Sequence, residues 1–125
     1  MKEKIKTILV VEDESTMIRA LTSEFSRNNI SVLQATNGED GLKIALEKHP
    51  DLIVLDIIMP KMDGMMMLKK LRADDWGKSA NVIILTNLTD PGKVKEASEE
   101  KVYDFWIKAD WHLSDLTKAI KEKIK

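Results

Sequence analysis

Residues 52–56, Leu-Ile-Val-Leu-Asp, form an apolar run that ends directly in a carboxylate. Residues 8–11, Ile-Leu-Val-Val, run in the same way into Glu12 and Asp13. Short apolar runs of this kind, bounded by polar residues, are typical of strands that are buried on both faces. Each run therefore predicts a buried strand that carries one or two acids immediately after its C-terminal end.

The same pattern recurs twice further along the chain. Residues 82–85, Val-Ile-Ile-Leu, are followed by Thr86, and residues 105–107, Phe-Trp-Ile, are followed by Lys108. With a shorter apolar segment near residue 33, these runs predict five strands, at 7–11, 31–35, 52–56, 82–86 and 104–107.

Apolar residues at helical spacing fill the intervals between these strands. Capping residues and prolines indicate where the helices begin and end, and Asn37-Gly38 is interpreted as a turn. The five predicted helices are one capped by Ser15 or Thr16 and reaching Arg27, one ending before Pro50, one after the loop at 60–64, one beginning at Asp90-Pro91, and one opened by Ser114 or Asp115.

The alternation of strands and helices favours an α/β fold, in which helices cover both faces of a parallel sheet. Right-handed crossovers favour a doubly wound, flavodoxin-like (βα)5 architecture with strand order 2-1-3-4-5. That order places strands one and three side by side, so we expect Glu12, Asp13 and Asp56 to meet. Ligands of open α/β sheets bind beyond the carboxyl ends of the strands, where Thr86 and Lys108 also lie.

Composition excludes several classes of protein. The 125 residues suit a single domain, 43% of them are apolar, and 33% are charged with a net charge of −1. This near-neutral charge gives no electrostatic case for nucleic-acid binding, and the apolar segments are too short to cross a membrane. The chain has no cysteine, and its charged N-terminus lacks the apolar segment of a signal peptide. We therefore expect a cytoplasmic protein without direct nucleic-acid binding or membrane insertion.

The clustered acids indicate metal chemistry. Carboxylates brought together repel one another unless a cation lies among them, and hard oxygen ligands suit Mg²⁺. We expect Glu12, Asp13 and Asp56 to form a site for Mg²⁺, with Mn²⁺ as a possible substitute. Asp56 is then a candidate nucleophile toward phosphorus, with Lys108 and Thr86 as contacts for phosphoryl oxygens.

With these residues in order, the whole chain resembles the receiver domain of two-component response regulators. The resemblance is carried by VVEDE around Glu12, by VLDIIMPKMDG around Asp56, and by Thr86 and Lys108 after the last two strands. It implies one receiver domain over residues 1–125. It also implies that Asp56 accepts a phosphoryl group from a histidine kinase or a histidine phosphotransfer protein.

The resemblance assigns further roles. It implies that Mg²⁺ is bound by Glu12, Asp13, Asp56 and the backbone carbonyl of Ile58. It makes Thr86 the switch hydroxyl and Phe105 the switch aromatic residue, acting on a partner surface formed by helix 4, strand 5 and helix 5. The implied protein is a signalling switch with intrinsic autophosphorylation and autodephosphorylation activity. Its partner is a downstream protein or output domain, and it is a monomer or a phosphorylation-dependent dimer.

The sequence departs from the family pattern at three positions. Ala109 follows Lys108 where the family usually has proline, so the peptide bond between them is expected to be trans. Asn87 follows Thr86 where most members have a smaller residue, and the larger Asn87 side chain is expected to narrow access to Asp56. Lys101 replaces a glycine that usually precedes strand five.

Three other functions fit the residues less well than a receiver does. A phosphatase of the haloacid-dehalogenase type needs a second aspartate two residues after the nucleophile, where this chain has Ile58. A flavin carrier needs a Ser/Thr/Gly loop for phosphate after strand one, whereas residues 12–15 read Glu-Asp-Glu-Ser. A degenerate receiver that only binds partners would lack phosphorylation residues, and none is missing here.

Overall fold

The computed structural model describes residues 5–124, which form a five-stranded parallel sheet of order β2-β1-β3-β4-β5. Helices lie on both sides of the sheet, which confirms the predicted fold. The strands are β1 Thr7–Val11, β2 Ser31–Ala35, β3 Leu52–Leu55, β4 Val82–Thr86 and β5 Phe105–Ile107. The helices are α1 Ser15–Arg27, α2 Gly38–Lys48, α3 Gly64–Arg72, α4 Pro91–Glu99 and α5 Leu113–Glu122, with short 3-10 helices at Gly77–Ser79 and Lys108–Asp110.

Each face of the sheet has its own apolar core, because successive side chains of a strand point to opposite faces. On one side, Leu9 and Ile53 pack with residues of α2, α3 and α4, among them Leu68. On the other side, Ile8 and Val54 pack with α1 and α5 residues. Strand β3 is therefore buried on both faces, as its continuous apolar sequence predicts, and it forms a firm base for the residue that follows it.

Packing is weaker at the β5 edge of the sheet. The three residues of β5 are only half-buried, whereas all four of β3 are buried. Helix α4 buries a single residue, Ala97. The Arg72 guanidinium holds the C-terminal end of α4, because it donates to the carbonyl of Glu100 at 2.8 Å and also to the carbonyls of Gly77 and Ala80 at 2.7 and 2.8 Å.

Helix α4 ends in a left-handed turn at Lys101, which has a φ of 62°. The Val102 N–H donates to the Ala97 carbonyl at 2.9 Å and the Lys101 N–H to the Ser98 carbonyl at 3.0 Å, the bonding pattern of a Schellman motif. Glycine is the usual residue at this position. Lys101 therefore keeps the turn, although its backbone adopts a left-handed conformation that favours glycine over residues with a side chain.

Some predicted boundaries were wrong by a residue or two. Helix α1 is capped by Glu14 and α5 by His112, and neither side chain makes a capping hydrogen bond. Asn37 is the N-cap of α2, where its side chain accepts from the Asp40 N–H, rather than part of a separate turn. Strand β3 ends at Leu55, so Asp56 lies just beyond it, and β5 begins at Phe105.

The longest described helix, α1, has 13 residues, well short of the roughly 20 that a membrane span requires. Within residues 5–124, no helix combines the length and apolar character of a transmembrane segment.

Candidate functional site

Three carboxylates converge at the C-terminal ends of β1 and β3. Val11 pairs with Leu55 in the sheet, so the residues that follow them emerge side by side. One carboxylate oxygen from each of Glu12, Asp13 and Asp56 lies within 4.8 Å of the others. Glu12 and Asp56 are buried, whereas Asp13 is exposed. An oxygen cluster of this kind, open on one side, can hold a hard divalent cation that keeps some of its waters.

The ammonium of Lys108 lies against the buried acids. Its Nζ is 3.0 Å from Asp56 Oδ2, is hydrogen-bonded to Glu12, and is 3.4 Å from Glu14 Oε2. Only 8% of the Lys108 side chain is exposed. The contact with Glu14 was not anticipated from the sequence, although Glu14 follows the acid pair directly and so lies at the same edge of the sheet.

Burial and charge act together on the pKa values of this group. Burial raises the pKa of Glu12 to about 7, and the Asp56 carboxylate adds to the shift while Lys108 opposes it. Burial by itself would lower the pKa of Lys108, but hydrogen bonds to Glu12 and Asp56 and their charges outweigh it and raise that pKa above its usual range. Contact with the two carboxylates therefore favours the charged form of Lys108.

The loop after Asp56 holds the carboxylate in place. Asp56 Oδ1 accepts a hydrogen bond from the Ile57 N–H at 2.7 Å, and the Gly64 N–H donates to the Ile57 carbonyl at 2.8 Å. A Cβ on Gly64 would lie 2.1 Å from the Asp56 carbonyl oxygen, so only glycine permits this approach. Ile58 is exposed, with 60% of its surface accessible. It occupies the position two residues after Asp56, where a phosphatase of the haloacid-dehalogenase type needs an aspartate.

The ends of β4 and β5 complete the site. Thr86 is fully buried and pairs with Ile107, and its hydroxyl accepts from the Leu88 N–H at 3.3 Å. Phe105 is half-buried and packs against the core on the α4 side. The structure thus brings Lys108 onto Asp56, and it places Thr86 at the end of the neighbouring strand.

A further contact joins the loops that follow these two strands. The Asn87 side-chain carbonyl accepts from the Ala109 N–H at 3.1 Å. The peptide bond between Lys108 and Ala109 is trans, and the two residues begin a short 3-10 helix. Sequence reasoning singled out both Asn87 and Ala109 but gave no reason to pair them.

Comparisons with known proteins agree with this geometry. The family model described as "Response regulator receiver domain" matches residues 8–121. Protein PilH of Pseudomonas aeruginosa is 32% identical over 116 residues, which cover 93% of this chain and 88% of PilH. The transcriptional regulatory protein AfsQ1 of Streptomyces coelicolor is 34% identical over 82% of this chain. A CheY-like receiver domain structure from Methanospirillum hungatei superposes with a TM-score of 0.87 at 21% identity and covers 97% of this chain and 94% of its own.

Fold and site together define a doubly wound α/β domain with an acidic, lysine-containing pocket at its strand ends. The chain belongs to the response regulator receiver domain family of two-component systems. The match covers 44% of AfsQ1 and 28% of PhoP of Bacillus subtilis, so the chain spans less than half the length of these curated relatives.

Proposed function

We propose that Asp56 accepts a phosphoryl group from a histidine kinase or a histidine phosphotransfer protein. The observation that carries this proposal is the contact between the Lys108 ammonium and the Asp56 carboxylate, 3.0 Å apart, inside a cluster of acids that can hold a cation. Two opposite charges buried together at the switch point of the sheet suit phosphoryl transfer, which depends mainly on positioning and charge stabilisation.

In the proposed reaction an Asp56 carboxylate oxygen attacks the phosphorus of a phosphohistidine. A P–O bond forms while the P–N bond breaks, and the imidazole leaves with the electron pair of that bond. Lys108 offsets the charge on the phosphoryl oxygens, as a point charge on a flexible stem can do. The hydrogen bond from the Ile57 N–H keeps the carboxylate oriented.

Glu12, Asp13, Asp56 and the backbone carbonyl of Ile58 would hold Mg²⁺, or Mn²⁺ in its place. The donor set supports this assignment, because carboxylate and carbonyl oxygens are ligands that Mg²⁺ prefers. Bound metal supplies positive charge that neutralises an incoming phosphoryl group.

Phosphorylation would act on the surface formed by α4, β5 and α5. A phosphoryl group on Asp56 offers a new acceptor to the Thr86 hydroxyl, which in this structure accepts from the Leu88 N–H. Movement of that loop makes room for Phe105, whose half-buried ring lies on the weakly buried strand β5. A local charge event thereby becomes a surface change, limited by how much better the phosphoryl contacts stabilise one state than the other.

The proposed switch needs a phosphodonor protein, a cellular location and an output partner. The phosphodonor protein would approach the open groove beside Lys108, which Met17, Trp111 and Leu113 line. The protein would work in the cytoplasm as a switch with intrinsic autophosphorylation and autodephosphorylation activity. It would control a downstream protein or output domain, as a monomer or as a dimer formed on phosphorylation.

Labelling with a small acyl phosphate in the presence of Mg²⁺ tests the proposal. The wild-type protein should gain one phosphoryl group at Asp56, and Asp56→Asn should keep the fold and lose the label. Mass mapping identifies the site, and a phosphoryl group on a serine, threonine or histidine would refute the assignment.

A further inference from the structure

We propose that Asn87 is a positioning residue that fixes the backbone of Lys108 and ties the loop after β4 to the loop after β5. This inference rests on the proposed function of Lys108 at Asp56. Its basis is the hydrogen bond from the Ala109 N–H to the Asn87 side-chain carbonyl, at 3.1 Å.

The place of this bond in the sheet gives it a role. The backbone pairing of β4 with β5 ends at Thr86 and Ile107. Directly after this last pair, the Asn87 side chain accepts a hydrogen bond from the backbone N–H of Ala109. Lys108 therefore lies between two fixed points, the last ladder pair at Ile107 and the bond at Ala109. The bond requires an N–H at residue 109, which any residue except proline supplies.

Fixing the base of Lys108 matters because its ammonium has several acceptors within reach. Nζ contacts Asp56, Glu12 and Glu14, and a four-carbon stem adapts easily among them. Holding the backbone limits these arrangements to those that keep Nζ close to Asp56. Since Asn87 directly follows Thr86, a displacement of Thr86 also pulls on Ala109, and the two loops respond as one unit.

Three single variants test the proposal. Asn87→Leu removes the acceptor at nearly constant size, and Asn87→Asp keeps it. Asn81→Leu makes the same chemical change at the opposite end of β4, where Asn81 makes a separate bond to the Asp51 carbonyl. All measurements are made in about 1 M salt, where a Debye length of about 3 Å screens the charge that Asn87→Asp adds.

The first readout needs no phosphodonor. Amide hydrogen exchange at Ala109 should accelerate about threefold in Asn87→Leu, the scale expected for losing one solvent-exposed hydrogen bond. It should stay at the wild-type rate in Asn87→Asp and Asn81→Leu. An unchanged Ala109 exchange rate in Asn87→Leu would show that the bond does not hold the loop, and would overturn the proposal.

The second readout is the rate of Asp56 labelling by a small acyl phosphate with Mg²⁺. The rate should fall about threefold in Asn87→Leu and remain near wild type in Asn87→Asp and Asn81→Leu. Faster exchange at Ala109 with an unchanged labelling rate would leave the bond real but overturn its positioning role. Absence of labelling in every protein, wild type included, would instead refute the proposed function, and the exchange data would still decide whether the loops are tied.

Discussion

Replacing Asp13 by asparagine should have opposite effects on stability with and without Mg²⁺. Asp13 is the exposed member of the acid cluster, and its carboxylate lies within 4.8 Å of those of Glu12 and Asp56. Two unit charges at that separation repel by about 1 kcal/mol in a water-like dielectric. Glu12, whose pKa is about 7, and Asp56 share the cation of Lys108, so the repulsion left on Asp13 is that of about one unit charge once Glu12 is ionised. In metal-free buffer about one pH unit above the Glu12 pKa, Asp13→Asn should therefore raise the free energy of unfolding by about 1 kcal/mol. Asp56 is a poorer choice for this test because Lys108 already compensates its charge.

Added Mg²⁺ should reverse the order of stability. A cation that binds only the folded state stabilises it by about 2.7 kcal/mol at 100 times its dissociation constant, and Asp13→Asn removes one of the ligands that this gain needs. Urea unfolding followed by circular dichroism, with and without Mg²⁺, measures both effects as shifts in midpoint at constant slope. Asp75→Asn removes a charge from an exposed side chain between α3 and β4, where Asp75 pairs with Lys78 at 3.3 Å, and is the control for charge removal outside the cluster; an exposed pair of this kind contributes about 0–1 kcal/mol. Equal midpoints for wild type and Asp13→Asn in metal-free buffer, or equal gains with Mg²⁺, would refute the reasoning.

Three further outcomes are expected. Lys101→Gly should relieve the left-handed strain at φ 62° and stabilise the fold by about 0.5–1 kcal/mol, whereas Lys95→Gly inside α4 should destabilise it by about 1 kcal/mol. Thermal unfolding compares the two variants, and a midpoint for Lys101→Gly below that of the wild type would contradict the strain argument. Gly64→Ala should destabilise the protein by more than 1 kcal/mol, because its Cβ would meet the Asp56 carbonyl; an unchanged urea midpoint would show that the loop yields freely. Thr86→Ala should still accept phosphate at Asp56 but lose the associated amide shifts in α4, as nuclear magnetic resonance with a phosphoryl mimic would detect, and wild-type shifts there would exclude Thr86 as the coupling residue.

The strands could be predicted to within a residue because buried parallel strands are continuous apolar runs with sharp polar ends. Helix starts were less predictable. Ser15 and Ser114 have the side chains that favour N-caps, yet the caps are Glu14 and His112, which make no capping hydrogen bond. Helix ends are set by backbone hydrogen bonding and vary by one or two residues, so side-chain preference alone does not locate the cap.

The residues of the candidate site could be predicted because each directly follows a strand, and parallel strands end at one edge. Their mutual contacts could not. That Glu14 also reaches Lys108 depends on the path of the chain into α1, and the bond between Asn87 and Ala109 joins residues 22 positions apart. The sequence marked Asn87 and Ala109 as separate departures from the family pattern, and only the structure makes them partners.

Two contacts with α3 bear on how α4 can move: the hydrogen bond from Arg72 to Glu100 and an ion pair of 2.8 Å to Glu96. Both lie in the C-terminal half of α4, and its first five residues bury no side chain, so a tilt about the C-terminal end would displace Pro91 most. Nine residues span about 13 Å at 1.5 Å each, and a 10° rotation would carry the first turn by about 2 Å while Glu99 hardly moves. The Pro91 end is also the one joined to the loop that follows Thr86. A small displacement of that loop would tilt α4, and a partner bound to α4 would respond to the change in helix angle more than to a change in helix position.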